Sequence, residues 1–225
     1  MVGTRVLAVI DPGPDRAEHV RALAQALEGA EAVSILVTHG HPDHAPGALP
    51  LARELGSEVL GPASVAGVTR PLVDGESVTT DEGDLVALET PGHARHHLAF
   101  HWPRRAALFA GDLVLGKGDT VWVGEYPGCV ADYLRSIGRV RALELQVIYP
   151  AHGPPIEDPG EALDRFEAHR QERIGEVRKL LAARPGAGVD ELMSAVYGSS
   201  LPDGARRAAR LAIEALMAHV EWSAE

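Results

Sequence analysis

The sequence predicts an α/β domain that runs on into a small helical unit. Three observations carry this. Short apolar runs alternate with helical patterns over residues 1–150, punctuated by Gly and Pro. From Pro159 onward the pattern is almost entirely helical. An apolar fraction of 45% beside 24% charged residues is that of an ordinary globular chain. A chain of 225 residues holds one full domain and a small appendage, which we divide as 1–158 and 159–225.

The elements follow in order. Arg5–Asp11 reads as a buried strand stopped by Pro12-Gly13-Pro14. A helix is expected over about 15–28, with Val20, Leu23, Ala24 and Leu27 on one face. Val33–Val37 is a second buried strand and runs into Thr38-His39-Gly40-His41-Pro42-Asp43-His44. Ala48–Leu55 is helical, ended by Gly56, and Glu58–Leu60 is a short strand. From Ser77 to Phe109 the signals are strands, at Asp84–Glu89, His97–Trp102 and Ala106–Ala110, and Val121–Val123 is expected to be another. A helix spans about 131–143, and Gln146–Tyr149 is a last strand before Pro150-Ala151-His152-Gly153. Helices over about 161–183, 189–197 and 204–221 make up the C-terminal unit, with breaks at Pro185-Gly186 and Pro202-Asp203-Gly204.

Composition narrows the function. A formal charge of −11 argues against a protein that coats nucleic acid, while leaving room for a local basic groove. The lone Cys129 cannot form an internal disulfide, which points to the cytoplasm. No apolar run approaches a membrane span, and Met1–Arg5 leads into a strand rather than a signal peptide. Aromatics are only 4%, so the core must be aliphatic, and seven of the 11 histidines fall between His39 and His101.

The strongest chemical signal is His39-x-His41-x-Asp43-His44 at the end of a buried strand. Alternate residues of an extended segment point the same way, so His39 and His41 can share one metal ion. The chain then turns at Pro42, where Asp43 and His44 can face a second ion. The bland alternative is a polar loop with a helix-capping Asp43 and surface histidines. His93, Asp112 and His152 each follow an apolar strand and lie beside a glycine. Taken singly, each reads as a turn residue. Together they supply a third imidazole for each ion and a bridging carboxylate.

This set resembles the metallo-β-lactamase superfamily of dinuclear hydrolases, and the likeness covers about residues 3 to 222. The resemblance implies a four-layer αββα sandwich with the ions at one open edge. It also implies that His39, His41 and His93 hold one ion, that Asp43, His44 and His152 hold the other, and that Asp112 bridges them. Asp11, in Asp11-Pro12-Gly13-Pro14, matches a strand-end aspartate that supports the histidine loop, and the competing reading is a turn-forming Asp before Pro. His97 matches a second supporting position. The segments Gly111–Gly116, Asp132-Tyr133-Leu134-x-Ser136, Pro150–Pro154 and His169-Arg170-x-x-Arg173 are similar to the lactamase-beta-two-like group, in which a winged-helix-like unit packs beside the site. Relatives begin with strands ahead of the segment matched by Val2-Gly3-Thr4. A short first sheet is therefore expected, together with a C-terminus that stops where the wing would start.

Several tempting residues are set aside. His96 and His101 read as polar-face strand residues, and Cys129 as a packing residue at a helix start. Arg206, Arg207 and Arg210 read as a solvated helix face.

The implied cofactors are two divalent ions, Zn first, with Mn or Fe accepted by the same ligands. Such a pair, about 3.5–4 Å apart, supplies a bridging hydroxide at neutral pH, and Asp43 could orient it and take its proton. An ester or thioester acyl substrate, either a small molecule or carrier-bound, fits the acidic chain best. The alternative is a single-strand-directed endoribonuclease, which the net charge disfavours. A true β-lactamase ranks lower, because those enzymes generally lack an aspartate at the position of Asp112. A non-catalytic scaffold ranks lower too. No membrane partner is expected, and an oligomer is left open.

Overall fold

The computed structural model describes residues 1–198 and 201–222. Two sheets organise it. The first holds β1 (Val6–Ile10), β2 (Ala32–Leu36), β3 (Glu58–Gly61) and β4 (Arg70–Pro71), paired in parallel in that order. The second holds β5 (Ser77–Val78), β6 (Leu85–Glu89), β7 (Leu98–Trp102), β8 (Ala107–Gly111) and β9 (Val147–Pro150). Its pairs are antiparallel except β8 with β9, which run parallel. The helices are α1 (Ala17–Ala26), α2 (Ala48–Leu55), α3 (Cys129–Arg141), α4 (Pro159–Ala183), α5 (Val189–Tyr197) and α6 (Asp203–Trp222).

The period-two alternation of strand side chains explains the layering. Leu7, Val9, Ile35 and Val59 leave the first sheet on one side and bury against Val20 and Leu27 near α1 and Leu51 on α2. Their neighbours Ala8, Leu36 and Leu60 leave the other side and meet Leu85, Ala87, Leu98 and Phe100 of the second sheet. The second sheet's outer face, with Ala99, Leu108 and Ile148, packs on Tyr133 and Ile137 of α3 and on Phe166, Ile213 and Leu216 of α4 and α6. The result is helix, sheet, sheet, helix. Each fully buried Leu, Ile or Phe contributes about 1.5–3 kcal/mol, so an aliphatic core suffices without many aromatics. The C-terminal helices share one continuous apolar cluster with the second sheet.

The topology gathers the strand ends. β1 and β2 are parallel, and β6, β8 and β9 run alike because β7 is antiparallel to both β6 and β8. Every chemically marked loop therefore emerges at one edge: Asp11 after β1, Thr38–His44 after β2, His93 after β6, Asp112 after β8 and His152 after β9. Open α/β sheets place ligand sites at such carboxyl ends.

Most expected elements stand within two residues of their expected bounds, and Cys129 is the buried first residue of α3. Val121–Val123 is a correction: it is not a strand. Its backbone is used otherwise, since the Val121 carbonyl accepts from Arg170 and the Trp122 carbonyl accepts from His93. His96 is a second correction, lying in an exposed turn rather than on a strand face. His101 does sit in β7, half-buried. Arg206 and Arg210 form ion pairs with Asp203 and Asp190, and Arg207 is exposed, as a solvated face requires. The two-residue β4 was not expected at all. Among the described residues no helix is long and apolar enough to cross a membrane.

Candidate metal centre

The seven chemically marked side chains converge. The donor atoms of His39, His41 and His93 lie within 4.8 Å of one another, as do those of Asp43, His44 and His152, and those of His39, His44 and Asp112. His41 Nδ1 is 3.0 Å from His93 Nε2. His152 Nε2 is 3.2 Å from Asp43 Oδ2 and 3.5 Å from Asp112 Oδ1. Asp112 Oδ2 is 3.5 Å from His93 Nε2 and 3.6 Å from His44 Nε2, so this carboxylate faces both groups.

The supporting bonds decide which ring nitrogens face inward. The Trp122 carbonyl can only accept, so His93 Nδ1 carries the proton at 2.9 Å and Nε2 presents its lone pair to the site. The Thr38 hydroxyl donates to Asp11 Oδ2 at 2.7 Å, so its contact of 2.9 Å with His39 Nδ1 must be donated by the ring. That leaves the Nε2 of His39 as an acceptor. His44 Nδ1 donates to Asp11 Oδ2 at 2.8 Å and turns its Nε2 inward too. Asp11 also accepts the Thr38 backbone N–H at 2.8 Å, so one carboxylate ties the histidine loop to the end of β1. The structure thus places Asp11 against the histidine loop that the sequence reading has it support.

His97 differs from the inward-facing rings. Its Nε2 accepts the Asp112 backbone N–H at 3.2 Å, and its Nδ1 contacts Thr90 Oγ1 at 2.9 Å. Both nitrogens are occupied, so His97 holds Asp112 in place and has no donor left for an ion. Gly111 makes room for this: with φ +51°, a Cβ there would meet His97 Nε2 at 2.6 Å and Thr38 Oγ1 at 2.9 Å.

Electrostatics separate the rings further. Burial, and then the surrounding imidazoles His97, His44, His93 and His41, drive His39 far below its ordinary value and keep it neutral. Burial likewise lowers His93 and brings His97 down to about 3. For His44 burial acts in the same sense, but the bond to Asp11 and the carboxylate of Asp112 override it and raise the group to about 10. Burial would raise Asp112, yet the neighbouring His44, His93 and His152 hold it below the ordinary carboxylate range. An arriving ion therefore competes with a proton at His44.

The residues fit divalent metal ions. His39 Nε2, His44 Nε2 and Asp112 Oδ1 are buried and lack any hydrogen-bond partner. Leaving such atoms unsatisfied costs about 1–3 kcal/mol each. Imidazole nitrogen and carboxylate oxygen are the donors that Zn, Mn and Fe accept. His152 and Asp43 stay about half exposed and leave the site open to solvent.

Sequence reasoning missed several participants. Thr38 and Thr90 hold rings by their hydroxyls, and Trp122 holds His93 by its carbonyl. Glu125 reaches within 3.7 Å of His41 Nε2 and accepts the Arg95 backbone N–H at 2.7 Å. A rare Trp beside a glycine-rich loop was the one visible signal for this segment.

Comparison with known proteins agrees with this geometry. The family model described as "Beta-lactamase superfamily domain" matches residues 4–121. The lactamase-like protein aptB of Emericella nidulans is 32% identical over 213 residues, covering 88% of this chain and 67% of that protein. The atrochrysone carboxyl ACP thioesterase of Aspergillus fumigatus is 30% identical over 224 residues, covering 92% of this chain and 52% of that protein. Between them the chain thus spans from about half to two thirds of the relative's length. A crystal structure of a metallo-beta-lactamase family protein from Thermus thermophilus superposes with a TM-score of 0.81 at 23% identity, covering all of this chain and 87% of the other. Another solved protein, TTHA1623, described in a di-iron-bound form, has a TM-score of 0.54 at 28% identity, with 72% and 86% covered. Sequence, fold and convergent histidines agree: the chain belongs to the beta-lactamase superfamily, as a metal-dependent hydrolase of the metallo-β-lactamase fold.

Proposed function

We propose that this chain hydrolyses an ester or thioester acyl substrate at a two-ion centre. The observation that carries the reading is the convergence of three buried, partnerless donor atoms on one edge, each within a group of three candidate ligands. His39 Nε2, His41 Nδ1 and His93 Nε2 would hold one ion, Asp43, His44 and His152 the other, and Asp112 would serve both. Bound there, divalent ions lower the pKa of water towards 7 and polarise an acyl oxygen. The chain's own residues do the rest. Thr38 and the Trp122 carbonyl fix the tautomers of His39 and His93, Asp11 orients the His44 ring, and His97 fixes Asp112. Asp43, exposed and 3.2 Å from His152, would orient the attacking water and take its proton.

Two ions rather than one are favoured by the two separate triplets and by the di-iron form of the 28% identical structure. Zn is our first choice of metal. An acyl substrate is favoured over RNA by the charge of −11 and by relatives named as acyl-carrier thioesterases. The buried thiol of Cys129 fits a reducing, cytoplasmic setting.

The test is elemental analysis of the purified protein, followed by assays on a generic thioester, bis-p-nitrophenyl phosphate and a chromogenic cephalosporin. About two ions per chain, with thioester cleavage abolished by chelation, is the expected result. Phosphodiester turnover alone would favour the endoribonuclease instead. Protein loaded with two ions that cleaves none of the three would overturn the reading.

A further inference from the structure

Beside the metal centre lies a cavity of about 550 Å³ whose wall includes His41, Val65, Arg95, Glu125 and Tyr126. His41 belongs to both, so this space adjoins the candidate ligands. Arg95 is its cation. The Arg95 guanidinium carbon sits 4.3 Å from the centroid of the Tyr126 ring. The ring is itself anchored, its hydroxyl donating to Asp132 at 2.8 Å. The turn that carries Arg95 is clamped as well, because its backbone N–H donates to Glu125 Oε2 at 2.7 Å.

About half of the basic side chains are held in ion pairs. Arg139 is matched to Asp74, Arg141 to Asp164 and Glu167, and Arg70 to Glu76. Among the described residues no carboxylate lies within ion-pair distance of the Arg95 guanidinium; arginines such as Arg53 and Arg207 share that property, but Arg95 is the one that lines the cavity beside His41. Glu125 takes the Arg95 backbone N–H with one oxygen and faces His41 at 3.7 Å with the other. A guanidinium stacked on an aromatic face keeps its N–H edge free, and that edge matches a carboxylate or phosphate in bidentate fashion.

We infer that Arg95 is a specificity residue that receives an oxyanion on the substrate, remote from the scissile carbonyl. The class is an acyl ester or thioester that carries a carboxylate on its acyl arm or a phosphate on its leaving group. This inference rests on the hydrolase reading for its substrate, but its binding arm can be read without turnover.

The experiment compares wild-type protein with Arg95→Met and Arg95→Lys, all loaded with metal. In the kinetic arm, glutaryl and butyryl thioesters of N-acetylcysteamine test an acyl carboxylate. Butyryl thioesters of phosphopantetheine and pantetheine test a leaving-group phosphate. The expected result is a preference of about 10- to 100-fold in kcat/KM for the anionic member of one pair, carried mainly by KM. Arg95→Met should collapse that preference to near one, and Arg95→Lys should keep part of it. The pair that responds identifies the source of the anion.

In the binding arm, calorimetry compares dicarboxylates from malonate to adipate with butyrate, and phosphopantetheine with pantetheine. A preference for the anionic probe of about 10-fold or more, lost in Arg95→Met, supports the site even if no thioester is cleaved, in which case only the hydrolase reading falls. Thioester cleavage with no anionic preference in either arm, or a preference untouched by Arg95→Met, overturns the inference and leaves the hydrolase standing. Arg95 is exposed in a turn, and an unchanged metal content will establish that the variants are folded.

Discussion

The indole Nε1–H of Trp122 donates to the Ala208 carbonyl on α6 at 3.0 Å, while the carbonyl of the same Trp122 accepts from His93 Nδ1 at 2.9 Å. A helix near the C-terminus thus reaches a candidate ligand through one residue. Replacing Trp122 by Phe should keep most of the packing and remove the tie to α6. We expect metal affinity to fall by a few-fold, less than the 10- to 100-fold typical when a ligand's direct partner is lost. Competition with a chromogenic chelator would measure this, and an affinity equal to wild type would mean that α6 does not support His93.

Asp112 and His96 are a contrasting pair. Asp112→Ala should bring metal content from about two ions towards one and abolish hydrolysis, because both donor groups face this carboxylate. His96→Ala should leave the metal content alone, since His96 is exposed in a turn. Elemental analysis of both variants decides the matter: loss of an ion from His96→Ala would show the ligand set to be wrongly drawn.

His97→Ala should act on stability before stoichiometry. It strands the Asp112 N–H and the Thr90 hydroxyl in a buried setting, at a cost of about 1–3 kcal/mol for each group. Denaturant midpoints should fall clearly while the number of ions per chain at saturating metal stays the same. If an ion is lost even at saturation, His97 is a ligand after all.

The acid limb of stability should depend on Asp81. Its carboxylate accepts from Thr4 N at 2.8 Å, Thr4 Oγ1 at 2.6 Å and Arg5 N at 2.8 Å, which hold it well below the ordinary value of 3.8. The folded pKa is the lower one, so the stabilisation is complete above the unfolded value and fades as the pH falls from there through the folded value. Asp81→Asn should therefore be less stable than wild type at pH 6, with the gap shrinking below about pH 4. Urea unfolding at a series of pH values checks this, and a gap that widens on acidification would reverse the sign.

Legibility from sequence varied with the kind of group doing the work. His39, His41, Asp43 and His44 declare themselves because they crowd into one short loop after β2, where a single turn keeps them together. Asp112 and His152 needed the resemblance, since a turn residue by itself carries no direction. The layers followed from alternation, as at Leu7, Ala8 and Val9, which part towards helix and sheet. Trp122 stayed hidden because it acts through a backbone carbonyl, which every residue possesses, on a histidine 29 positions away. The same diversion of carbonyls explains why the apolar run Val121–Val123 makes no ladder. Arg95 was overlooked because its meaning lies in the cavity it lines beside His41, 54 positions away in the chain.

Asp11 holds a left-handed backbone, with φ +47°, that side-chain-bearing residues adopt at a cost of about 1–2 kcal/mol. Glycine at this position would relax the main chain and at the same time cut His44 and Thr38 loose. The three hydrogen bonds lost with the carboxylate outweigh that relief, so selection for heat resistance and selection for turnover should both keep aspartate at residue 11.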